Sequence, residues 1–172
     1  MKVTDIQPGE YAPYQEAYIK LVSDEWNITE ELEVSLAKFI DFVRDIPFDK
    51  YDYRYAEGKW DIKDIIQHVI DSERIFAYRA LRIGRGDKTP LPGFEEADYG
   101  AAADAGRRHL QELLTELSLV RHSTINLFKS FREEELGRTG TASNYTVSAR
   151  ALGFLIIGHQ NHHIKIFKER YL

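Results

Sequence analysis

Residues 147–172 read VSARALGFLIIGHQNHHIKIFKERYL, a proline-free stretch whose apolar positions recur with helical spacing from about Val147 to the C-terminus. Leu152, Ile156, His159, His163 and Ile166 fall on one stripe of that helix, and the basic residues of its KERYL end suit the negative end of the helix dipole. His159 and His163 are four residues apart, so their imidazoles leave the same face one turn apart and can reach one metal ion. Both stand where the stripe otherwise places apolar side chains, and a polar group buried there costs free energy unless something satisfies it.

Working toward the N-terminus, three more segments carry the same periodicity, separated by Gly, Pro and Asn signals that end helices. The first helix is expected from about Ile28 to Ile46, capped by Asn27 or Thr29 and stopped by Pro47, with Leu32, Leu36, Phe39, Ile40 and Val43 buried. The second should begin near Asp61, after Trp60, and end at Gly84 and Gly86; Ile65, His68, Ser72 and Ile75 share a face. The third should occupy roughly Ala103 to Phe131, burying Leu110, Leu113, Leu114, Leu117, Val120, Ile125 and Phe128. Residues 85–102, RGDKTPLPGFEEADYGAA, read as a long crossover loop between helices two and three, and a loop of that length is ordinarily functional. The expected fold is therefore all-α, a four-helix bundle in one domain spanning residues 1–172. Residues 1–27 form an N-terminal extension in which AYIKLV adds a short helix across the bundle.

His68 puts a third imidazole on a buried face. Three neutral imidazoles make an open site in which water or substrate takes the remaining positions. The cysteine-free composition leaves nitrogen and oxygen as the only metal ligands and removes disulfides and a cysteine nucleophile. Two familiar patterns are excluded. Gln160 stands where the metalloprotease motif needs Glu, and no His follows a Glu at the offset of a di-iron carboxylate bundle.

His162 lies about 100° around the helix from His163 and faces a neighbouring helix or solvent; His109 and His122 have no partner of matching spacing. Asp71 and Glu73 follow His68 and could orient a ligand, although surface acids on an amphipathic helix are the more ordinary case. Arg79, Arg82, Arg85 and Lys88 form a basic end to the second helix, where one of them can meet an anionic substrate. The Arg85-Gly86-Asp87 tripeptide reads as a turn.

The net charge of −5 and a pI near 5.7 argue against nucleic acid as a partner. The start lacks the basic and apolar runs of a secretory signal, and no apolar run is long enough for a membrane span, so a cytoplasmic location is expected.

The segments WDIKDIIQHVIDSE (from Trp60), TPLPGF and GHQNHH (from Gly158) resemble the DinB superfamily, the DinB/YfiT-like proteins, over about residues 28–172. The resemblance implies a bundle with a long crossover connection and one divalent metal ion, commonly nickel or zinc, held by His68, His159 and His163. It also implies a homodimer and a small-molecule substrate. Characterised relatives include thiol-dependent S-transferases using a low-molecular-weight thiol as cosubstrate and a maleylpyruvate isomerase, while others are described as metal-dependent hydrolases. Relatives often carry an acid directly after the first His of the late pair, where this chain has Gln160.

The expected function is metal-dependent activation of a water for hydrolysis or of an imported thiol for S-transfer. The alternative is a non-catalytic binding or stress-response module that the metal stabilises. A third reading is a metal-free bundle that dimerises through Tyr51, Tyr53 and Tyr55.

Overall fold

The computed structural model describes residues 1–172. After a short helix α1 (Glu16–Ile19), the first long helix, α2 (Ile28–Arg44), is opened by Asn27. Its Oδ1 accepts from the amides of Thr29 and Glu30, both at 3.1 Å, and Glu30 accepts in return from the Asn27 amide at 3.0 Å. Asp61 opens α3 (Ile62–Gly84) by accepting from the Asp64 amide at 2.9 Å, with Arg54 bridging both carboxylates. The remaining elements are α4 (Glu96–Ala103), α5 (Leu110–Lys129), α6 (Glu133–Leu136), the strands β1 (Thr139–Ala142) and β2 (Tyr145–Ser148), and α7 (Ala149–Arg170). Ser148 caps α7 by accepting from the Ala151 amide at 3.0 Å.

Helices α2, α3, α5 and α7 pack as a four-helix bundle with two apolar clusters, one toward each end. The first half of α2 (Ile28, Leu32) and of α7 (Leu152 to Ile157) lies in one cluster, together with the second half of α3 (Ala80, Ile83) and of α5 (Ile125, Phe128). The opposite halves, including Phe39, Ile66, Leu117 and Phe167, form the other. Helices α3 and α5 therefore run in the same direction, and the chain between them must return along the bundle before α5 can begin.

That return is not a plain loop. An Ala- and Glu-rich segment with good helix propensity makes α4 inside it. Asp104, at φ 47°, ends α4 in the left-handed region, and an extended His109 separates it from α5. Hence the third bundle helix starts at Leu110, not at Ala103. A second difference lies before α7. Residues 139–148 form an antiparallel hairpin pairing Thr139 with Ser148 and Ala142 with Tyr145, turned by Ser143 and Asn144 at φ 51° and 66°. Val147 belongs to β2, so the fourth helix starts two residues later than its periodicity suggests. Leu91 of the crossover segment bonds to this hairpin through the Thr141 carbonyl and the Ser143 amide.

The N-terminal extension packs on α7. Arg150 and the Ser148 hydroxyl bind Glu10, and Asn161 donates to the Leu21 carbonyl at 3.0 Å. Gly158 makes the approach possible, since a methyl group there would overlap the carbonyl oxygen of Tyr18 and lie 2.6 Å from its carbon. No helix is long and apolar enough to cross a membrane.

Candidate metal centre

Between the two apolar clusters each bundle helix contributes buried polar side chains: Ser35 from α2, Ser72 and Glu73 from α3, Arg121 from α5, and His159 and Gln160 from α7. Arg121 is fully buried, and all five of its N–H groups are used. Nε and Nη2 donate to the two Glu73 oxygens at 2.8 and 2.9 Å. Nη1 donates to the Leu32 carbonyl and Ser35 Oγ at 3.0 and 2.9 Å, and Nη2 also to Gln160 Oε1 at 2.8 Å. Gln160 in turn donates to the Ser35 carbonyl at 2.8 Å. One ion pair thus ties all four helices together beside the histidines. Glu73 is a buried partner of Arg121, not a surface acid or an orienting group for His68. The signal that could have revealed this is the stripe Leu117, Arg121, Ile125, Phe128, which places an arginine on the core face of α5.

His68 on α3 and His159 and His163 on α7 meet in the same layer. The Nε2 of His159 lies 3.0 Å from that of His68 and 3.1 Å from that of His163. An imidazole nitrogen offers either one in-plane lone pair or one proton, so the Nε2 of His159 can make only one of these contacts as a hydrogen bond. The three ligand nitrogens lie within 4.8 Å of one another, and a cation between them would satisfy all three by drawing the widest pair together. Two nitrogens bound to one ion at about 2.0–2.1 Å are themselves about 3.0–3.4 Å apart. The three rings are neutral near pH 7, because burial depresses His68 to about 4 and His163 to about 3, with His159 also well below its ordinary value. Neutral imidazole is the form that binds a metal. The donor set thus fits a divalent transition-metal ion. Behind the rings, Ser72 Oγ stands 3.5 Å from His68 Nδ1, whereas His163 Nδ1 is buried without a partner.

Aromatic side chains wall the cluster. Trp60 lies against His68 with ring centroids 4.8 Å apart, and Tyr18 and Phe76 meet His159 edge-on at 5.6 and 6.1 Å. Two cavities open onto it. One of about 330 Å³, lined by Tyr55, Trp60, Ile65, Ile166 and Tyr171, reaches His163. The other, of about 120 Å³, reaches His159 and contains Arg79 and Glu96. The crossover helix α4 contributes to both, through Ala97 and Glu96. Glu96 places an oxygen 4.0 Å from His68 Nε2; its side chain is 59% exposed, and its carboxyl is pushed up by partial desolvation and by the neighbouring charge of Glu95. Nothing in the local spacing of the crossover segment singled it out.

The other histidines stay apart from this trio. His162 sits edge-on to Tyr18, and His109 and His122 are exposed. Asp71 bonds Gln67 and Arg74. Arg85-Gly86-Asp87 is a turn with Gly86 at φ 87°. Tyr53 and Tyr55 pack edge-on against Tyr171 of their own chain.

The chain belongs to the DinB superfamily, whose family model matches residues 31–167. YfiT of Bacillus subtilis is 24% identical over 167 residues, covering 94% of this chain and 90% of YfiT. A protein of Oceanobacillus iheyensis with the provisional name of a metal-dependent hydrolase is 21% identical over 146 residues, covering 84% of this chain and 82% of that protein. Among solved structures, YfiT superposes with a TM-score of 0.72 at 18% identity, over 95% of this chain and 90% of that one; it is described as a probable metal-dependent hydrolase with an unusual four-helix bundle topology. A DinB-like protein of Bacillus subtilis, YjoA, gives a TM-score of 0.56 at 20% identity, over 81% and 87%. These superpositions establish the likeness of fold.

Proposed function

We propose that this DinB-superfamily chain is a metal-dependent enzyme acting on a small molecule, with one divalent ion held by the Nε2 atoms of His68, His159 and His163. The observation that carries the reading is the meeting of three neutral imidazole nitrogens at separations hydrogen bonds cannot all explain. Nickel and zinc suit such a donor set. Bound there, the ion supplies Lewis acidity that makes a coordinated water or low-molecular-weight thiol a nucleophile near neutral pH.

The chain's own residues supply the rest. Trp60, Tyr18 and Phe76 limit water around the rings, and the two cavities give a substrate access to His163 and to His159. Glu96 is the carboxylate at the cluster, and its raised pKa suits it to take a proton from a nucleophile and return it to a leaving group. Hydrolysis is the branch the names of the relatives favour. S-transfer needs a thiol from outside, since the chain has no cysteine.

A purely structural role for the ion is less well supported. The Arg121 network already joins the four bundle helices without it. Metal content measured by plasma mass spectrometry on tag-free protein, wild type against His163→Ala, tests the reading. Near-stoichiometric nickel or zinc in wild type and little in the variant is expected. Equal trace metal in both after reconstitution refutes it.

A further inference from the structure

The basic end of α3 sorts into three satisfied cations and one that is not. Arg82 pairs with Asp87 and Tyr78, Arg85 with Glu135 at 3.6 Å and Ser130, and Lys88 donates to the Thr139 carbonyl at 3.0 Å. Arg79 is 6% exposed, yet no carboxylate lies within ion-pair distance of it. Only its Nη2 is engaged, donating to the Pro92 carbonyl at 2.7 Å and Ser143 Oγ at 3.0 Å, both neutral acceptors. The contrast with Arg121, wholly buried but fully paired, is direct. A buried guanidinium without a counter-charge is costly, and the burial depresses its pKa.

The free donors of Arg79, Nε and Nη1, are not sealed off; the sealed polar atoms without partners are Glu31 Oε2 and His163 Nδ1 alone. Arg79 lines the cavity of about 120 Å³ that His159 and Glu96 also line. The guanidinium is held in place from three sides. Pro92 in the crossover segment and Ser143 in the hairpin turn fix Nη2, and the Phe94 ring lies 6.0 Å from the guanidinium carbon. The hairpin thus does more than connect α6 to α7, since its left-handed Ser143 brings the hydroxyl that orients Arg79.

We infer that Arg79 is an anion-binding subsite, and that the small molecule handled at the histidine cluster carries a carboxylate or phosphate group. Its two oxygens take the free N–H groups of Arg79 while the reacting part of the molecule faces His159. Glu96, which lines the same cavity, disfavours a second negative charge there. Assigning the anion to a substrate depends on the metal-enzyme reading; the anion site itself does not.

The test uses tag-free protein, metal-free and metal-reconstituted, titrated with propionate, with inorganic phosphate and with neutral propionamide. Binding is followed by calorimetry and by the arginine Nε–H signals in nitrogen-15 NMR spectra. One saturable anion is expected, shifting a single arginine signal in wild type, with propionamide inert and the tighter of the two anions identifying the class. Arg79→Lys should retain part of the affinity, and Arg79→Gln should weaken it at least tenfold. Persistence in metal-free protein separates this site from an anion ligating the ion, so a failed metal assay leaves the result standing. Equal affinity in Arg79→Gln, or no arginine shift in wild type up to tens of millimolar anion, overturns the proposal; the wild-type spectrum decides it even if the variant does not fold.

Discussion

Replacing Glu73 by Gln removes one charge and almost no volume, and the structure allows its cost to be worked out. Arg121 is fully buried and spends two of its five N–H groups on the Glu73 oxygens. The amide introduced by Glu73→Gln would keep one acceptor and turn its NH₂ toward a guanidinium N–H, leaving a buried cation with no counter-charge. Breaking a buried pair from one side costs about 3–5 kcal/mol, a large part of the roughly 5–15 kcal/mol that holds a domain folded. With a urea m-value of about 2 kcal/mol/M, the unfolding midpoint should fall by about 2 M. The double variant Glu73→Met with Arg121→Met removes both charges and should recover most of that loss. A deficit of about 1–3 kcal/mol should remain because Gln160 Oε1, Ser35 Oγ and the Leu32 carbonyl lose a donor. Urea denaturation followed by circular dichroism measures all three proteins. A midpoint for Glu73→Gln within about 0.5 M of wild type, or a double variant as unstable as the single one, would refute the claim that this ion pair braces the histidine layer.

Gly158→Ala should lift the N-terminal segment off α7, because the added methyl overlaps the Tyr18 carbonyl. A loss of about 1–3 kcal/mol and faster proteolysis within residues 1–27 are expected, and an unchanged melting temperature would contradict the packing. Metal-free protein should lose stability in acid before the carboxylates titrate. His68 falls from 6.5 to about 4 on folding and His163 to about 3, so the unfolded chain binds more protons below pH 6.5. The contribution is complete above pH 6.5 and is lost progressively as pH falls through the folded values; a melting temperature flat between pH 7.5 and 5 would show that the rings are not buried neutral.

The starts of α2 and α3 were legible because each is a local event. Asn27 and Asp61 lie next to the amides they satisfy, and Pro47 and the left-handed Gly86 lie just beyond the ends of α2 and α3. His68, His159 and His163 were legible as polar interruptions of apolar stripes, a signal that periodicity carries within one helix. The α4 helix and the hairpin were not, because their segments are too short to carry a period and take their shape from what they pack on: Gly100 against Trp60, Gly140 against Ile83. Sequence alone therefore determined the bundle and nominated the three histidines. Only the tertiary structure decided which charges are paired. Arg121 finds Glu73 across 48 residues, Arg79 finds no carboxylate, and Glu96 reaches His68 from a connection that crosses the bundle. The physical reason is that periodicity fixes the face a side chain takes on its own helix, whereas a charge is satisfied by whatever another helix brings within a few ångströms.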